Sequence, residues 1–193
     1  STGSDNTAVG NYALIENTTG EKNTALGSYA LDANTTGLRN VAIGYNALTA
    51  ATTASDNIAI GEGCADAVTT GDHNIAIGKD ALGSNTVGDR NVAIGNNALG
   101  NYNPSTNEDS YNVAIGLNSM IATTTGKENT AVGGESLSSN TTGNNNTAIG
   151  YAALDDVTTG GNNTAIGKSA GANTTTADYN TALGYQALFT NTT

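Results

Sequence analysis

The pentapeptide Asn40-Val41-Ala42-Ile43-Gly44 is the unit that decides the fold of this chain, because its pattern, Asn-x-Ala-aliphatic-Gly, occurs eleven times. Successive copies of the repeated asparagine are 17 residues apart, except for one interval of 21 residues between Asn91 and Asn112. A short, fixed period indicates one structural unit that stacks repeatedly on itself. The repeat fills residues 1–193, so we predict a single, elongated repeat domain.

Each position of the unit has its own residue preference when the repeated asparagine is numbered position 0. Position 1 is Thr, Val or Ile, position 2 is always Ala, position 3 is aliphatic and position 4 is always Gly. Such residues predict a short β-strand that ends in a turn. Positions 12 to 14 are mostly Thr-Thr-Gly, which disfavours a helix. We therefore predict an all-β fold, a parallel β-solenoid with 17-residue coils about 4.8 Å apart and two or three short strands per coil.

The repeated strand has two faces, because successive side chains point in opposite directions. Positions 1 and 3 share one face and Ala occupies the other, and the alternation leaves open which face is interior. Positions 15 and 16 vary freely, as solvent-exposed positions do, whereas position 2 never changes. We therefore expect both faces to be buried, the outer one against another copy of the chain.

The outer face is large enough for such a contact. A strand face about 16 Å wide and about 53 Å long gives roughly 850 Å², near the ~800 Å² per partner of a standard interface. We therefore expect a homo-oligomer and assign its interface to the Ala row, which comprises Ala8, Ala25, Ala42, Ala59, Ala76, Ala93, Ala114, Ala131, Ala148, Ala165 and Ala182.

The sequence offers no convergent set of catalytic or metal-ligating side chains, so we expect no enzymatic activity, no cofactor and no bound metal. Cys64 stands at position 7, where other coils carry Ala or Ser, and this fits a small buried thiol. His73 is the only histidine, and one imidazole does not make a metal site. The aspartates fall at scattered repeat positions, which does not favour calcium.

Two features favour surface binding. The longer interval predicts a loop at Asn101 to Ser110 in coil six, and insertions in solenoids often form binding surfaces, although a neutral length difference is an alternative. Tyrosines recur at positions 5 and 6, where they can stack on sugars, on a partner or on each other. The predicted surface-binding residues are Tyr12, Tyr29, Tyr45, Tyr102, Pro104, Tyr111, Tyr151 and Tyr185.

The charge of the chain limits its partners. A net charge of −11 at neutral pH repels the phosphates of nucleic acid and the surface of anionic membranes. No apolar run approaches the ~20 residues that a membrane-spanning helix needs. We expect neither nucleic-acid binding nor membrane insertion by this segment.

The sequence Asn-Val-Ala-Ile-Gly, found at residues 40–44, 91–95 and 112–116, resembles the YadA-like head repeat of trimeric autotransporter adhesins and repeats of bacteriophage tail-fibre proteins. The resemblance implies a left-handed parallel β-roll, three chains about one axis with the motif strand facing it, and a role in surface attachment. It also implies an extracellular location, on a bacterial cell surface or a virion fibre. This chain departs from the pattern by a longer coil, to which Thr-Thr-Gly has been added.

The function expected from the sequence is that of a structural and adhesive fibre segment, a homotrimer that binds a cell-surface glycan or protein receptor. One alternative is a subunit of a self-stacking extracellular filament, with end-to-end contacts between neighbouring solenoid segments. A second is an ice-binding solenoid, because Thr ladders at strand spacing can match a crystal lattice. Adjacent Thr-Thr pairs place their side chains on opposite faces, which argues against that alternative.

Overall fold

The computed structural model describes residues 2–190 and shows an all-β parallel β-solenoid with one coil per 17 residues, as the spacing predicted. Each coil contributes one three-residue strand, rather than the two or three expected, to a single eleven-stranded sheet in sequence order. The strands are β1 (Thr7–Val9), β2 (Thr24–Leu26), β3 (Val41–Ile43), β4 (Ile58–Ile60), β5 (Ile75–Ile77), β6 (Val92–Ile94), β7 (Val113–Ile115), β8 (Thr130–Val132), β9 (Thr147–Ile149), β10 (Thr164–Ile166) and β11 (Thr181–Leu183).

Hydrogen bonds join neighbouring coils outside the strands as well. The Leu31 N–H donates to the Ala47 carbonyl at 3.1 Å, and the Thr35 N–H donates to the Thr52 carbonyl at 2.9 Å. The first threonine of each Thr-Thr pair adds a side-chain bond, as in Thr18 Oγ1 to the Thr35 carbonyl at 2.8 Å. Coils are therefore held to each other around their whole circumference.

The repeated asparagine forms a buried ladder along the rod. The Asn40 amide nitrogen donates to the Ala54 carbonyl of its own coil at 2.7 Å, and the Asn40 Oδ1 accepts the Asn57 N–H of the next coil at 3.0 Å. The side chain thus closes its own coil and fixes the next one in register. Asparagine suits this role because its amide both donates and accepts.

The ladder is interrupted at the insertion. Strands β6 and β7 keep their register, with Val92 paired to Val113 across the longer interval. The hydrogen bond from the Asn91 side chain to a position-14 carbonyl of its own coil is nevertheless replaced. The Asn91 amide nitrogen donates instead to the Asn74 Oδ1 and to the Asp89 carbonyl, each at 3.1 Å. The Asn91 Oδ1 is buried without a hydrogen-bond partner.

Several positions of every coil have a left-handed backbone. Residues at positions 6, 8 and 16 have φ near +50 to +60°, including buried leucines such as Leu31 and Leu48. The position-4 glycines have φ between 117 and 143°, and at Gly27 a Cβ would lie 2.3 Å from the Gly44 carbonyl oxygen. Only glycine fits both constraints, which explains its invariance.

The glycine at position 14 lacks a positive φ, so its presence has a steric reason. A Cβ at Gly37 would lie 2.2 Å from the Ala54 carbonyl oxygen of the next coil and 2.4 Å from the Asn34 Oδ1. The same close approach occurs where position 11 is not Asn, since a Cβ at Gly71, which follows Val68, would lie 2.6 Å from the Gly88 carbonyl oxygen. The neighbouring coil therefore limits the size of the residue at this position.

The Ala row faces the interior of the coil. Ala25 to Ala165 have no accessible surface and Ala182 has 4%, whereas Ala8 in the first coil is exposed. The interior is narrow, because a Cβ at position 8, built on Gly171, would lie 3.7 Å from the Ala165 Cβ. The assignment of the Ala row to a trimer interface is therefore wrong for the enclosed members, since their own coils cover them. The outward residues are those at positions 1 and 3.

The asparagine ladder makes a testable prediction about stability. Asn40→Ala would leave the Asn57 N–H and the Ala54 carbonyl without partners, at a cost of about 1–3 kcal/mol for each buried group. Asn91→Ala is the matched control, because the Asn91 Oδ1 already lacks a partner. We expect Asn40→Ala to lower the free energy of unfolding in urea clearly more than Asn91→Ala. Equal losses would show that the ladder does not stabilise the rod through the Oδ1 bond.

Candidate binding surfaces

The outward side chains of the strands form an aliphatic stripe, defined here as positions 1 and 3 of β1 to β11. Its exposed members include Leu26 at 47%, Ile60 at 36% and Ile166 at 39%. In β3 to β7 both outward positions are Val or Ile, whereas β1, β2 and β8 to β11 carry Thr at position 1. The apolar character of the stripe is therefore greatest in the middle of the rod.

The stripe is long and narrow. Strands of three residues and eleven coils give about 10 Å by about 50 Å, roughly 500 Å². Contiguous apolar patches of this size on a soluble chain are commonly functional. The stripe is narrower than the sequence-based estimate because the strand is shorter than the five-residue motif. Exposed Tyr45, Leu117 and Tyr151 at position 5 follow the strand and widen the apolar surface along the coil.

The predicted surface tyrosines fall into two groups. Tyr12, Tyr45, Tyr111, Tyr151 and Tyr185 are about half or more exposed. The first three rings of the row contact each other, since Tyr12 stacks on Tyr29 at 5.3 Å between centroids and Tyr29 meets Tyr45 edge-on at 6.2 Å. The Lys168 ammonium lies 5.8 Å from the centre of the Tyr151 ring. Some of the tyrosine rings therefore contact each other and are less available to a ligand, and Tyr29 is partly buried.

Tyr102 and Pro104 are not surface residues, and their prediction as such is wrong. Tyr102 has no accessible surface, and its hydroxyl donates to the Ser110 Oγ at 2.6 Å. Burial raises the pKa of the Tyr102 hydroxyl to about 12. Pro104 is also buried. Tyr102 stands at position 11, where Asn85 of the preceding coil is also buried, so the insertion begins only after this anchor.

The insertion is fastened at both ends and projects between them. At its start, the Asn103 N–H donates to the Thr124 carbonyl at 2.9 Å, and the Thr86 hydroxyl donates to the Asn103 Oδ1 at 2.7 Å. At its end, the Ser110 N–H donates to the Asp89 carbonyl at 3.1 Å. Residues 105–107 between these points are exposed. The exposed portion of this segment, residues 105–107, is shorter than the predicted range of Asn101 to Ser110.

The projecting loop forms one wall of a groove of about 480 Å³, here called the coil-six groove. Every residue that lines it is polar or charged. They are Ser105, Thr106 and Glu108 from the insertion, and Thr125, Lys127, Glu128, Thr142, Asn144 and Asn145 from the next two coils. The volume lies within the range of small-molecule sites.

Ion pairs fix the groove and its surroundings. Lys127 Nζ lies 2.6 Å from the Glu108 Oε2, across the junction between the insertion and coil seven. Arg90 pairs with Asp109 on the other side of the insertion, and the Tyr111 hydroxyl donates to the Asp109 Oδ2 at 3.0 Å. The one lysine of the groove is thus neutralised by a carboxylate, and Glu128 adds a further negative charge.

Sequence reasoning missed the groove residues outside the insertion. They occupy position 13, which belongs to the Thr-Thr turn, and positions 15 and 16, which vary freely as solvent-exposed positions do. Their place in the chain could have identified them, because these groove residues belong to the two coils that directly follow the insertion.

The threonines form separate rows along the rod. Those at position 12 donate their hydroxyls to backbone carbonyls, as Thr35 does to Thr52 at 2.9 Å. Those at position 13, such as Thr36 and Thr70, are exposed, but Val87 and Pro104 interrupt their row. Ice recognition by a flat lattice needs more than one regular exposed row, so this arrangement gives that alternative little support.

Within residues 2–190, no group of three or more His, Cys, Asp or Glu side chains is placed to hold a metal ion. No helix in the described part of the chain has the length and apolar character to cross a membrane.

Comparison with protein-family models, with curated proteins and with solved structures finds no match to this chain.

The buried thiol makes a second testable prediction. Cys64 has no accessible surface, and burial raises its pKa to about 12, so almost no thiolate exists at neutral pH. We expect Ellman's reagent to leave the folded chain unmodified at pH 8 and to label one thiol after unfolding in guanidinium. Cys64→Ala, which matches Ala47 and Ala81 at the same repeat position, should keep the melting temperature almost unchanged. Rapid labelling of the folded chain would contradict this placement.

Partly buried carboxylates predict the pH dependence of stability. Burial raises the pKa of Asp66 and of Asp155 above the ordinary value. The folded chain therefore binds more protons than the unfolded chain between the raised pKa values and about 3.9, and stability rises as pH falls through that window. Asp56 acts oppositely, because its hydrogen bond with Arg39 lowers its pKa, and its contribution is lost at lower pH.

We expect the melting temperature to be higher at about pH 4 than at pH 7, because the raised pKa values place the stabilising window directly above about 3.9. The double variant Asp66→Asn, Asp155→Asn should show a smaller increase, because the two partly buried carboxylates no longer titrate. Exposed Glu16→Gln, which removes one charge without removing a buried carboxylate, is the control. A melting temperature that falls over this pH range would contradict the assignment.

Proposed function

We propose that this chain is a non-enzymatic, structural and adhesive segment of an extracellular fibre, in which three copies pack through the aliphatic stripe. The single observation that carries this proposal is the stripe itself. A continuous row of Val, Ile and Leu side chains runs along all eleven coils on the outside of an otherwise complete coil interior. The chain buries its Ala, Leu and Asn rows without using these outward residues.

Burial of this surface would be favourable. Apolar surface removed from water contributes about 25 cal/mol per Å², and the stripe presents one flat sheet face with an approximately constant profile. The concentration of Val and Ile in β3 to β7 supports a contact that is strongest at mid-rod. Three copies, rather than two, follow from the resemblance to YadA-like heads, in which the motif strand faces the trimer axis.

The surface that remains outside such a trimer would serve attachment. A rod about 50 Å long repeats its outer positions every coil, so weak contacts with a surface can be made many times along one fibre. Its net charge of −11 keeps it soluble and away from nucleic acid. We propose a cell-surface glycan or protein as the receptor, and a bacterial surface or a virion as the site of the fibre.

The oligomeric state tests this function. Light scattering of the parent chain should give a mass three times the 19.2 kDa of one chain. The double variant Ile60→Lys, Ile77→Lys places two charges on neighbouring coils of the stripe, and burying unpaired charges is costly. We expect it to dissociate to folded monomers.

Two controls separate the contact from folding. The variant Ile58→Thr introduces the residue that β8 to β11 already carry at position 1, and it should remain a trimer. Thr70→Lys adds a charge in the exposed Thr-Thr turn, and it should also remain a trimer. A monomeric parent, or an Ile60→Lys, Ile77→Lys variant that stays trimeric, would reject the stripe as the interface.

A further inference from the structure

We propose that the coil-six groove binds a neutral oligosaccharide, and this inference deepens the proposed adhesive function by naming a receptor class and its site. The groove combines four hydroxyls, from Ser105, Thr106, Thr125 and Thr142, with the amides of Asn144 and Asn145 and the charged groups of Glu108, Lys127 and Glu128. Both donors and acceptors line the space, and no aliphatic or aromatic residue is among the lining residues.

The donor and acceptor pattern decides the ligand class. A sugar presents hydroxyls that both donate and accept, and the amides, hydroxyls and carboxylates of the groove can match both kinds of group. An apolar ligand would find no apolar lining. An anionic ligand would meet Glu108 and Glu128, while Lys127 is already paired with Glu108 at 2.6 Å. The negative charge of the whole chain disfavours anions further.

The wall of the groove is pre-organised, which lowers the entropic cost of binding. Buried Tyr102 anchors one end of the insertion through its bond to Ser110, and the backbone of Ser110 is tied to Asp89 at the other end. The Thr106 hydroxyl donates to the Glu108 Oε2 at 3.3 Å, and the Asn144 Oδ1 accepts the Lys127 N–H at 2.7 Å. Asn144 and Asn145 are both exposed, so their amides are accessible to a ligand.

The insertion makes this location different from the rest of the rod. Positions 13, 15 and 16 recur in the other coils, but only coils seven and eight have them beside the projecting residues 105–107. We therefore expect one such site per chain.

The repeat supplies a closely matched pair of variants. The double variant Thr142→Val, Asn145→Gly removes one hydroxyl and one amide from the groove. Glycine suits residue 145, whose φ is +58°. The control Thr159→Val, Asn162→Gly makes the same changes at the same repeat positions one coil further along, where residue 162 has φ +59° and neither residue lines the groove.

The experiment is binding of the fluorescently labelled parent chain to a printed array of neutral oligosaccharides, with sialylated and sulfated glycans on the same slide. We expect retention on a subset of the neutral glycans. The groove variant should bind about tenfold more weakly, as expected for the loss of two hydrogen-bonding side chains, and the control should bind like the parent. Light scattering on both variants should give the mass of the parent.

Each other outcome overturns the inference. These outcomes are no neutral glycan bound, binding confined to the anionic glycans, or equal loss in the groove variant and the control. Such results with a trimeric parent would reject the groove and leave the trimeric fibre standing. A monomeric parent that binds neutral glycans through the groove would reject the trimer and leave this site standing.

Discussion

The asparagine ladder is the interaction on which the rest of the rod depends. In most coils its amide performs two tasks with one side chain, since the nitrogen closes the coil onto its own position-14 carbonyl and the oxygen receives the backbone N–H of the next coil. Strand pairing alone can tolerate a shift in register, whereas a buried amide that must satisfy both neighbours cannot. The ladder thus fixes the phase of every coil, and the interior rows of Ala, Leu and small position-7 residues follow from that phase.

The sequence predicted the coil period because the asparagine spacing directly records it. It could not predict which face of the strand is interior, because a strict alternation of Ala with aliphatic residues is compatible with either face pointing inward. That choice depends on the width of the coil, where position 8 lies opposite position 2 and leaves room for only a methyl group. The burial of Tyr102 follows from the same kind of long-range packing, since its position in the coil, and not its residue type, places it inside. The groove was missed because it forms between coils that are distinguished only by a neighbour's extra length.

The insertion shows how a repetitive rod acquires a unique place. It leaves the strands in register, but it costs the ladder one link, visible in the unpartnered Asn91 Oδ1. A buried acceptor without a partner is unfavourable by about 1–3 kcal/mol, so the rod is locally weaker where it is locally different. Elsewhere, any surface that the rod offers is offered repeatedly. The aliphatic stripe recurs in every coil and suits association along the whole length of the rod. The coil-six groove occurs at one place, beside the insertion.

The left-handed residues of each coil have a consequence for how the rod comes apart. Within residues 2–190, thirty-one non-glycine residues have positive φ, a conformation that costs an L-residue about 1–2 kcal/mol. A single coil held alone would bear this strain without the contacts that offset it, so the intrinsic free energy of a coil is unfavourable and the coupling between adjacent coils is strongly favourable. In a one-dimensional chain of such units, a boundary between folded and unfolded coils is expensive. Partly unwound rods are therefore sparsely populated, and the chain behaves as one cooperative element despite being built from many small ones.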